Sequence, residues 1–198
     1  MIAIIDSGGA NIASVQFALQ RLGAESVLTR DIKQIKSADR VLLPGVGAAP
    51  VAMNTLREAG LIEPIRQLRK PLLGICLGMQ LLFSRSPEGD TELLDLITGN
   101  CKAFRPAAER AVPHMGWNRL HSNGRRHPLL RNMPDVAHVY FVHSYFVPVG
   151  TSTVASCTYG DDFTAIVAKE NFMGCQFHPE RSGQLGARIL ENFLEMQA

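Results

Sequence analysis

The sequence has little of what marks nucleic-acid-binding and membrane proteins. Charged residues occupy only 19% of its 198 positions, and the formal net charge is +2. The basic residues are scattered, so they form no patch of the kind that binds nucleic acid. No apolar run approaches the roughly 20 residues that a transmembrane helix needs. We therefore expect neither nucleic acid nor a membrane among the partners.

Cysteine is also scarce, with four residues in the chain. They form no Cys-x-x-Cys pair and no Cys/His cluster at the spacing of a zinc site. We therefore expect free thiols in a reducing cytoplasm, with no metal and no other cofactor. The first residues, Met1–Asp6, lack the basic segment and the cleavage site of a signal peptide, and their apolar run predicts a first strand instead.

Hydrophobic residues, at 46%, are enough for a substantial core. Up to about residue 83, short apolar runs alternate with helical spacing, which is the βαβα pattern of a parallel sheet covered by helices on both faces. The predicted strands are Met1–Ile5, Ser26–Thr29, Asp39–Leu43 and Leu72–Cys76. The predicted helices follow Asn11, run from Val51 to Leu68 with breaks near Gly60 and Pro64, and begin again at Met79.

Beyond Ser84 the pattern changes to strands joined by short turns, which predicts antiparallel strands added to the sheet. A turn is expected at Glu170-Asn171, and an amphipathic helix at Gly183–Gln197. With no repeat and no linker, we expect one domain over residues 1–198. Its predicted fold class is α/β, with three layers and a mostly parallel central sheet flanked by helices. The predicted added strands are Met115–Leu120, Val139–Val147, Thr153–Tyr159, Phe163–Lys169 and Phe172–Phe177.

One stretch, Pro71–Gln80, combines a buried strand, a cysteine between two glycines, and a helix. Gly-x-Cys-x-Gly at such a junction is the nucleophile-elbow pattern, with Cys76 in place of serine. Gly74 and Gly78 carry no Cβ, so strand and helix can approach closely and the turn can be sharp. A thiol there is a candidate nucleophile, and the alternative is a buried structural cysteine.

Two glycine-rich loops follow other predicted strands. Pro44–Gly47 ends the strand next to the elbow, where ligands bind in parallel sheets, and its Gly45, Val46 and Gly47 N–H groups are candidate donors to an oxyanion. The alternative for this loop is a plain turn. The loop Asp6–Asn11 lacks the signatures of phosphate binding, so an ordinary turn is favoured over a nucleotide site.

A second cluster of reactive residues stands at the end of the last predicted strand, in Gly174–Glu180. A cysteine nucleophile needs a base, and histidine is the usual choice because its unperturbed pKa lies near neutrality, which makes His178 the candidate. The base needs an acceptor to hold it in one tautomer, and Glu180 lies two residues further on, past Pro179. Taken singly, the better interpretations are a core histidine for His178 and a solvated carboxylate for Glu180; taken with the elbow, the catalytic interpretation is favoured.

Together, Gly74-Ile-Cys-Leu-Gly-Met-Gln80 and Gln176-Phe-His-Pro-Glu180 resemble the class I, or triad, glutamine amidotransferases. The resemblance implies that glutamine is hydrolysed to glutamate and ammonia. It gives Cys76 the attack on the amide, His178 the proton transfer and Glu180 the orientation of His178. The N–H of Leu77 joins the Pro44–Gly47 loop as an oxyanion donor. The resemblance further places the glutamine α-amino and α-carboxylate groups at Gln80, His143, Ser144 and Tyr145.

Two further segments, Pro113–Asn118 and Tyr140–Tyr145, resemble the glutaminase subunits of imidazole glycerol phosphate synthases. Those subunits form a heterodimer with a (βα)8-barrel cyclase, which uses the ammonia to convert the intermediate PRFAR to imidazole glycerol phosphate and AICAR in histidine biosynthesis. The resemblance implies a docking face with Trp117, Asn118 and Asn11, together with the neighbouring Gly9 and Ala10. The alternative for Trp117 is a core aromatic.

Three other functions are open on the residues alone. One is another class I glutaminase, serving pyridoxal phosphate, anthranilate or GMP synthesis, which would share the triad but not His114–Asn118. Another is a cysteine hydrolase acting on peptides or other amides. The third is a non-catalytic interaction subunit that keeps the elbow only as structure.

Overall fold

The computed structural model describes residues 1–8, 11–108, 110–122, 124, 126–134 and 136–196. The helices are α1 (Ile12–Arg21), α2 (Ile32–Ser37), α3 (Ala49–Glu58), α4 (Ile62–Arg66), α5 (Leu77–Gln80) and α6 (Gly183–Leu194). The strands are β1 (Ile2–Ile5), β2 (Ser26–Thr29), β3 (Arg40–Gly45), β4 (Leu72–Cys76), β5 (Arg85–Ser86), β6 (Thr91–Glu92), β7 (Lys102–Ala103), β8 (His114–Leu120), β9 (Ala137–His143), β10 (Tyr145–Phe146), β11 (Thr153–Tyr159), β12 (Asp161–Lys169) and β13 (Phe172–Cys175).

A seven-stranded sheet, in the order β11-β12-β13-β4-β3-β1-β2, forms the centre of the molecule. The strands from β13 to β2 are parallel, and the hairpin β11-β12 continues the sheet antiparallel to them at one edge. The predicted α/β class and its mostly parallel sheet are therefore confirmed. The predicted turn at Glu170-Asn171, which joins β12 to β13, is confirmed as well.

Alternate residues of the central strands enter two separate hydrophobic clusters, one on each face of the sheet. Ile2 and Ile4 of β1 pack on the face covered by α1, α6 and β9, whereas Ala3 and Ile5 pack on the face covered by α2 to α5. This alternation follows from the two-residue period of a strand, and it produces the three layers. Within the described ranges, no helix is long and apolar enough to cross a membrane.

The position of β13 corrects one expectation and determines where the site forms. We predicted Phe172–Phe177 as an added antiparallel strand, but β13 ends at Cys175 and pairs in parallel with β4. Cys175 stands opposite Ile75 in this register. Because parallel neighbours end at the same edge of a sheet, the residues after β13 emerge beside Cys76.

Two other expectations about the second half of the chain are wrong. Strands β8 and β9 do not extend the central sheet but form a separate antiparallel ribbon, in which His114 stands opposite His143. The predicted strand Val139–Val147 is split at Ser144 into β9 and β10, and β10 pairs with β7 instead. Apolar alternation marks a strand, but it does not reveal the partner with which the strand pairs.

The turn after β4 brings α5 very close to β3. A Cβ added to Gly78 would collide with the main-chain carbonyl of Leu43, and one added to Gly45 would lie 2.7 Å from the Gly78 nitrogen. Main-chain atoms of a central strand cannot move aside as a flexible side chain can. The glycines therefore permit the elbow by removing atoms, as the sequence pattern indicated.

We expect Gly78→Ala to lower the free energy of unfolding by about 3 kcal/mol, since the added methyl must displace α5 from β3. Gly150→Ala is the matched control, because a Cβ there meets nothing within 4 Å, and its effect should stay within about 0.5 kcal/mol. Urea denaturation of both variants measures the difference. Equal stabilities for the two variants would show that the close approach at Gly78 is not a constraint.

Candidate active site

Cys76 is the last residue of β4 and directly precedes α5. Its backbone has φ 54° and ψ −111°, a conformation that non-glycine residues seldom adopt and that persists only where the surroundings enforce it. The residue is 7% exposed, with its thiol at the wall of a cavity. This combination of a strained backbone and a cavity-facing thiol is the geometry expected of a nucleophile elbow.

His178 and Glu180 form a buried pair immediately after β13. The Nδ1 atom of His178 lies 2.8 Å from Oε1 of Glu180, and the two side chains are 3% and 0% exposed. Asn11 donates to the same carboxylate oxygen from Nδ2, at 2.6 Å. Since a carboxylate accepts, Nδ1 of His178 is the donor and carries the proton.

The backbone of His178 is held by contacts with β9. Its N–H donates to the carbonyl of Tyr140 at 2.9 Å, and its carbonyl accepts from the Ser182 hydroxyl at 2.7 Å. The same hydroxyl accepts from the N–H of Tyr140 at 2.9 Å. These bonds tie the turn after β13 to the β8–β9 ribbon, so the imidazole has a defined position relative to β4.

Cys76 and His178 interact electrostatically. Burial lowers the pKa of His178, but hydrogen bonding and charge from Cys76 and Glu180 outweigh burial and raise it to about 10. Nε2 of His178 is buried, and it has no hydrogen-bond partner among the described residues that meets ordinary geometry. His178 is therefore cationic near neutral pH.

The thiol opens into a cavity of about 430 Å³, a size suited to a small molecule. Predicted residues from five different segments meet there, although they are far apart in sequence. The cavity is lined by Asn11, Val46, Gly47, Cys76, Leu77, Gln80, Glu88, Pro113, Val142, His143, Ser144, Tyr145, His178 and Arg181.

The predicted oxyanion residues lie on both sides of Cys76. Val46, Gly47 and Leu77 line the cavity, and Gly47 has φ 99°, which favours glycine. Gly45 stands opposite Cys76 in the register of β3 and β4. It lines a smaller cavity behind His178 and Glu180 instead. The structure thus places the loop next to the nucleophile, and the direction of its N–H groups stays a prediction.

The predicted glutamine-binding residues form one wall of the cavity through mutual hydrogen bonds. Nε2 of Gln80 donates to the carbonyl of Tyr145 at 2.8 Å, and Nδ1 of His143 lies 2.8 Å from the same oxygen. The carbonyl of Ser144 accepts from the N–H of Phe104. In this structure the Gln80 amide therefore supports the wall through bonds to the protein.

The predicted site residues did not include Gln176, Glu88 or Arg181, of which Glu88 and Arg181 line the cavity. Gln176 is fully buried, accepts from Gln80 at 2.9 Å and directs its own Nε2 at the Cys76 sulfur, 3.7 Å away. The two-residue period of a strand does not identify it, because β13 ends at Cys175 and Gln176 lies beyond the strand. Glu88 lies across the cavity and accepts from the N–H of Ala49 at 2.7 Å. No sequence signal distinguished Glu88 from other surface carboxylates.

The residues predicted for a docking face differ in their exposure and contacts. Trp117 on β8 is 57% exposed, so the alternative of a core aromatic is wrong, and Met115 on the same face is 63% exposed. Asn118 turns inward and donates to the carbonyl of Thr158 at 2.9 Å. Asn11 contacts Glu180, as described above, while Gly9 and Ala10 lie outside the described residues.

The residues that the structure describes contain no group of three or more His, Cys, Asp or Glu side chains placed to hold a metal ion. The four cysteines are free thiols and are buried. Burial raises the pKa of Cys101 and of Cys157 to about 12, so these two stay protonated near neutral pH. They line no part of the cavity that contains Cys76.

Comparison with known proteins places this arrangement in a family. The family model for the class I glutamine amidotransferases matches residues 3–196. The chain belongs to the class I glutamine amidotransferases. Among relatives of this family, the chain is 56% identical over 197 residues to the imidazole glycerol phosphate synthase subunit HisH of Xylella fastidiosa (strain Temecula1), covering 100% of this chain and 98% of that one.

A second amidotransferase, the imidazole glycerol phosphate synthase subunit HisH of Xanthomonas axonopodis pv. citri, is 54% identical over 195 residues, with 98% and 97% of the two chains covered. A solved structure described as a glutamine amidotransferase superimposes with a TM-score of 0.75 at 19% identity. It covers 98% of this chain and 97% of its own. At that identity the superposition shows the amidotransferase fold alone.

We expect Glu180→Gln to lower the pKa of His178, because the charge and the hydrogen bond of the carboxylate help to raise it. Glutaminase turnover should fall about 10²- to 10⁴-fold, the range associated with general acid–base catalysis. Glu63→Gln, at an exposed ion pair with Arg66, is the control and should change neither quantity. NMR titration of the histidines and an assay of glutamate release measure both effects.

The same raised pKa has a consequence for stability. Because its folded value of about 10 exceeds the ordinary 6.5, His178 contributes stability that is fully present below pH 6.5 and is lost as the pH rises through 10. Glu180→Gln should reduce this loss. An unchanged pH dependence of unfolding in the variant would contradict the assignment of Glu180 as the partner of His178.

Proposed function

We propose that this chain is the glutaminase subunit of an imidazole glycerol phosphate synthase, and that Cys76, His178 and Glu180 carry the reaction. The observation that supports this most is that Cys76 and His178 line one cavity, while the buried Glu180 is hydrogen-bonded to Nδ1 of His178. We also propose that residues 1–198 act as one domain, since the central sheet takes strands from both halves of the chain.

The chemistry follows from these positions. The Cys76 thiolate attacks the side-chain amide carbon of glutamine, and the carbonyl oxygen becomes an oxyanion. N–H groups of Leu77 and of the Val46–Gly47 loop stabilise this charge. His178 gives its Nε2 proton to the leaving nitrogen, so ammonia departs and a thioester stays on Cys76. Water then attacks the thioester, giving up a proton to His178, and releases glutamate and the free thiol.

The cavity also suits the zwitterionic end of glutamine. Glu88 provides a negative charge for the α-ammonium group, and Arg181 provides a positive charge for the α-carboxylate; both line the cavity. Gln80, His143, Ser144 and Tyr145 line the same cavity. We therefore assign them to glutamine binding, with Gln80 acting through its contacts to Tyr145 and Gln176.

We further propose a cytoplasmic heterodimer with a (βα)8-barrel cyclase that receives the ammonia and converts PRFAR to imidazole glycerol phosphate and AICAR in histidine biosynthesis. The exposed Trp117 and Met115 on β8 supply an apolar surface next to the cavity wall. We keep Asn118 and Asn11 as candidate interface residues: Asn11 contacts Glu180 of the triad, and Asn118 contacts His114. No nucleic acid and no membrane takes part in this proposal.

Cys76→Ala tests the proposed function in the complex with the cyclase. The variant should lose glutamine-dependent formation of imidazole glycerol phosphate, because no thioester can form, while ammonium salts still support it. Cys157→Ala, at a buried thiol outside the cavity, should keep both activities. Glutamine-dependent product formation by Cys76→Ala at the wild-type rate would refute the proposal.

Trp117→Ala should weaken cyclase binding by at least about 2 kcal/mol, as expected for an aromatic anchor at the centre of an interface. Phe17→Ala is the control, because Phe17 is equally exposed, at 59%, but lies beside Met1 and Ser26 at the amino ends of the parallel strands. Isothermal titration calorimetry compares the two. Similar losses, or none for Trp117→Ala, would place the docking face elsewhere.

A further inference from the structure

We propose that His114 is a positioning residue for glutamine: it fixes the neutral tautomer of His143 and thereby the shape of the cavity wall at Val142–Tyr145. The inference rests on the proposed function of this cavity. His114 itself is 3% exposed, is not among the residues that line the cavity, and stands opposite His143 in the β8–β9 ribbon. It would therefore act through its neighbour and not by touching glutamine.

The hydrogen bonds of the two histidines can run in only one direction. Nδ1 of His143 lies 2.8 Å from the carbonyl oxygen of Tyr145, and a carbonyl only accepts, so this nitrogen carries the proton. Nε2 of His143 is then an acceptor. Nδ1 of His114 lies 3.0 Å from that Nε2, so it must be the donor.

The hydrogen bonds at the other end of this series, around Asn118, agree with this direction. With Nδ1 protonated, Nε2 of neutral His114 accepts, and Nδ2 of Asn118 lies 3.3 Å from it. The same amide nitrogen donates its other hydrogen to the carbonyl of Thr158 at 2.9 Å. Every contact from Asn118 through His114 and His143 to Tyr145 therefore has a donor and an acceptor.

Burial keeps both rings neutral. It lowers the pKa of His114 to about 4. It also lowers the pKa of His143 to about 3, with the Tyr145 carbonyl opposing the shift and the charges of His114 and His178 adding to it. The rings pack among Phe104, Phe141 and Phe163. A neutral imidazole has one donor, so the bond from His114 decides which nitrogen of His143 remains the acceptor.

The Tyr145 carbonyl connects the two histidines to the cavity wall. That oxygen receives His143 on one side and the Gln80 amide on the other, both at 2.8 Å. Together the two donors fix the backbone of Ser144 and Tyr145, which line the cavity. If His114 cannot donate, Nε2 of His143 becomes a buried acceptor without a partner, which is costly. The His143 ring can then lower its free energy by changing tautomer or by rotating. In either case the Tyr145 carbonyl loses one of its two donors.

Two amide substitutions at His114 separate this role from simple space filling. The side-chain nitrogen of His114→Asn falls near the position of Nδ1 and can still donate to His143. In His114→Gln it falls near the position of Nε2 and cannot. With the full chain in complex with the cyclase, we expect His114→Gln to raise KM for glutamine about tenfold, the loss that fits one buried hydrogen bond, with kcat changed by less than about twofold. His114→Asn should restore KM to within about threefold of the wild-type value.

A spectroscopic measurement accompanies the kinetics. The ¹⁵N shifts of the imidazoles should show His143 neutral and protonated at Nδ1 in the wild-type chain and in His114→Asn, but not in His114→Gln. Equal KM increases for both variants, or none for His114→Gln, would overturn the inference. Should His114→Gln fail to fold, the wild-type spectrum decides alone: a charged His143, or one protonated at Nε2, overturns it. A wild-type complex without glutaminase activity would instead overturn the proposed function.

Discussion

The turn at Cys76 is the point on which the fold and the site both depend. At φ 54° the backbone of Cys76 is in a region that residues other than glycine seldom adopt because it is sterically strained. Pairing of β4 with β3, which puts Gly45 opposite Cys76, fixes the strand side of the turn. The contact of Gly78 with the main chain of Leu43 fixes the helix side. The thiol is consequently held at the cavity by main-chain geometry, without relying on its own side-chain contacts.

The electrostatics of the site depend on one carboxylate oxygen. Oε1 of Glu180 accepts from both His178 and Asn11, so a single buried atom orients the base and connects it to the loop before α1. The carboxylate and the thiol together hold the imidazole positively charged near neutral pH. A buried cation is costly unless it is paired, and here its two partners are the groups to which we assign the proposed reaction. The thiol therefore lies beside a cationic imidazole.

Much of the fold and part of the site could be predicted from the sequence. The parallel strands up to Cys76 and the elbow were predictable, because each element is specified by residues adjacent in the chain. The insertion of β13 beside β4 was not, since strand direction depends on where the chain re-enters the sheet. That insertion is what brings His178 to Cys76. The contacts of Gln176 and His114 could not be predicted either, because their partners lie 100 and 29 positions away.

The central claim is that Cys76, activated by His178, becomes covalently bonded to the substrate. The most direct measurement is rapid acid quenching of the cyclase complex during glutamine turnover, followed by peptide mass spectrometry. The account predicts a γ-glutamyl thioester on the peptide that contains Cys76, appearing before ammonia release is complete and absent when His178 is replaced by asparagine. Sustained glutaminase turnover with no adduct on Cys76, or with the adduct on another residue, would contradict it.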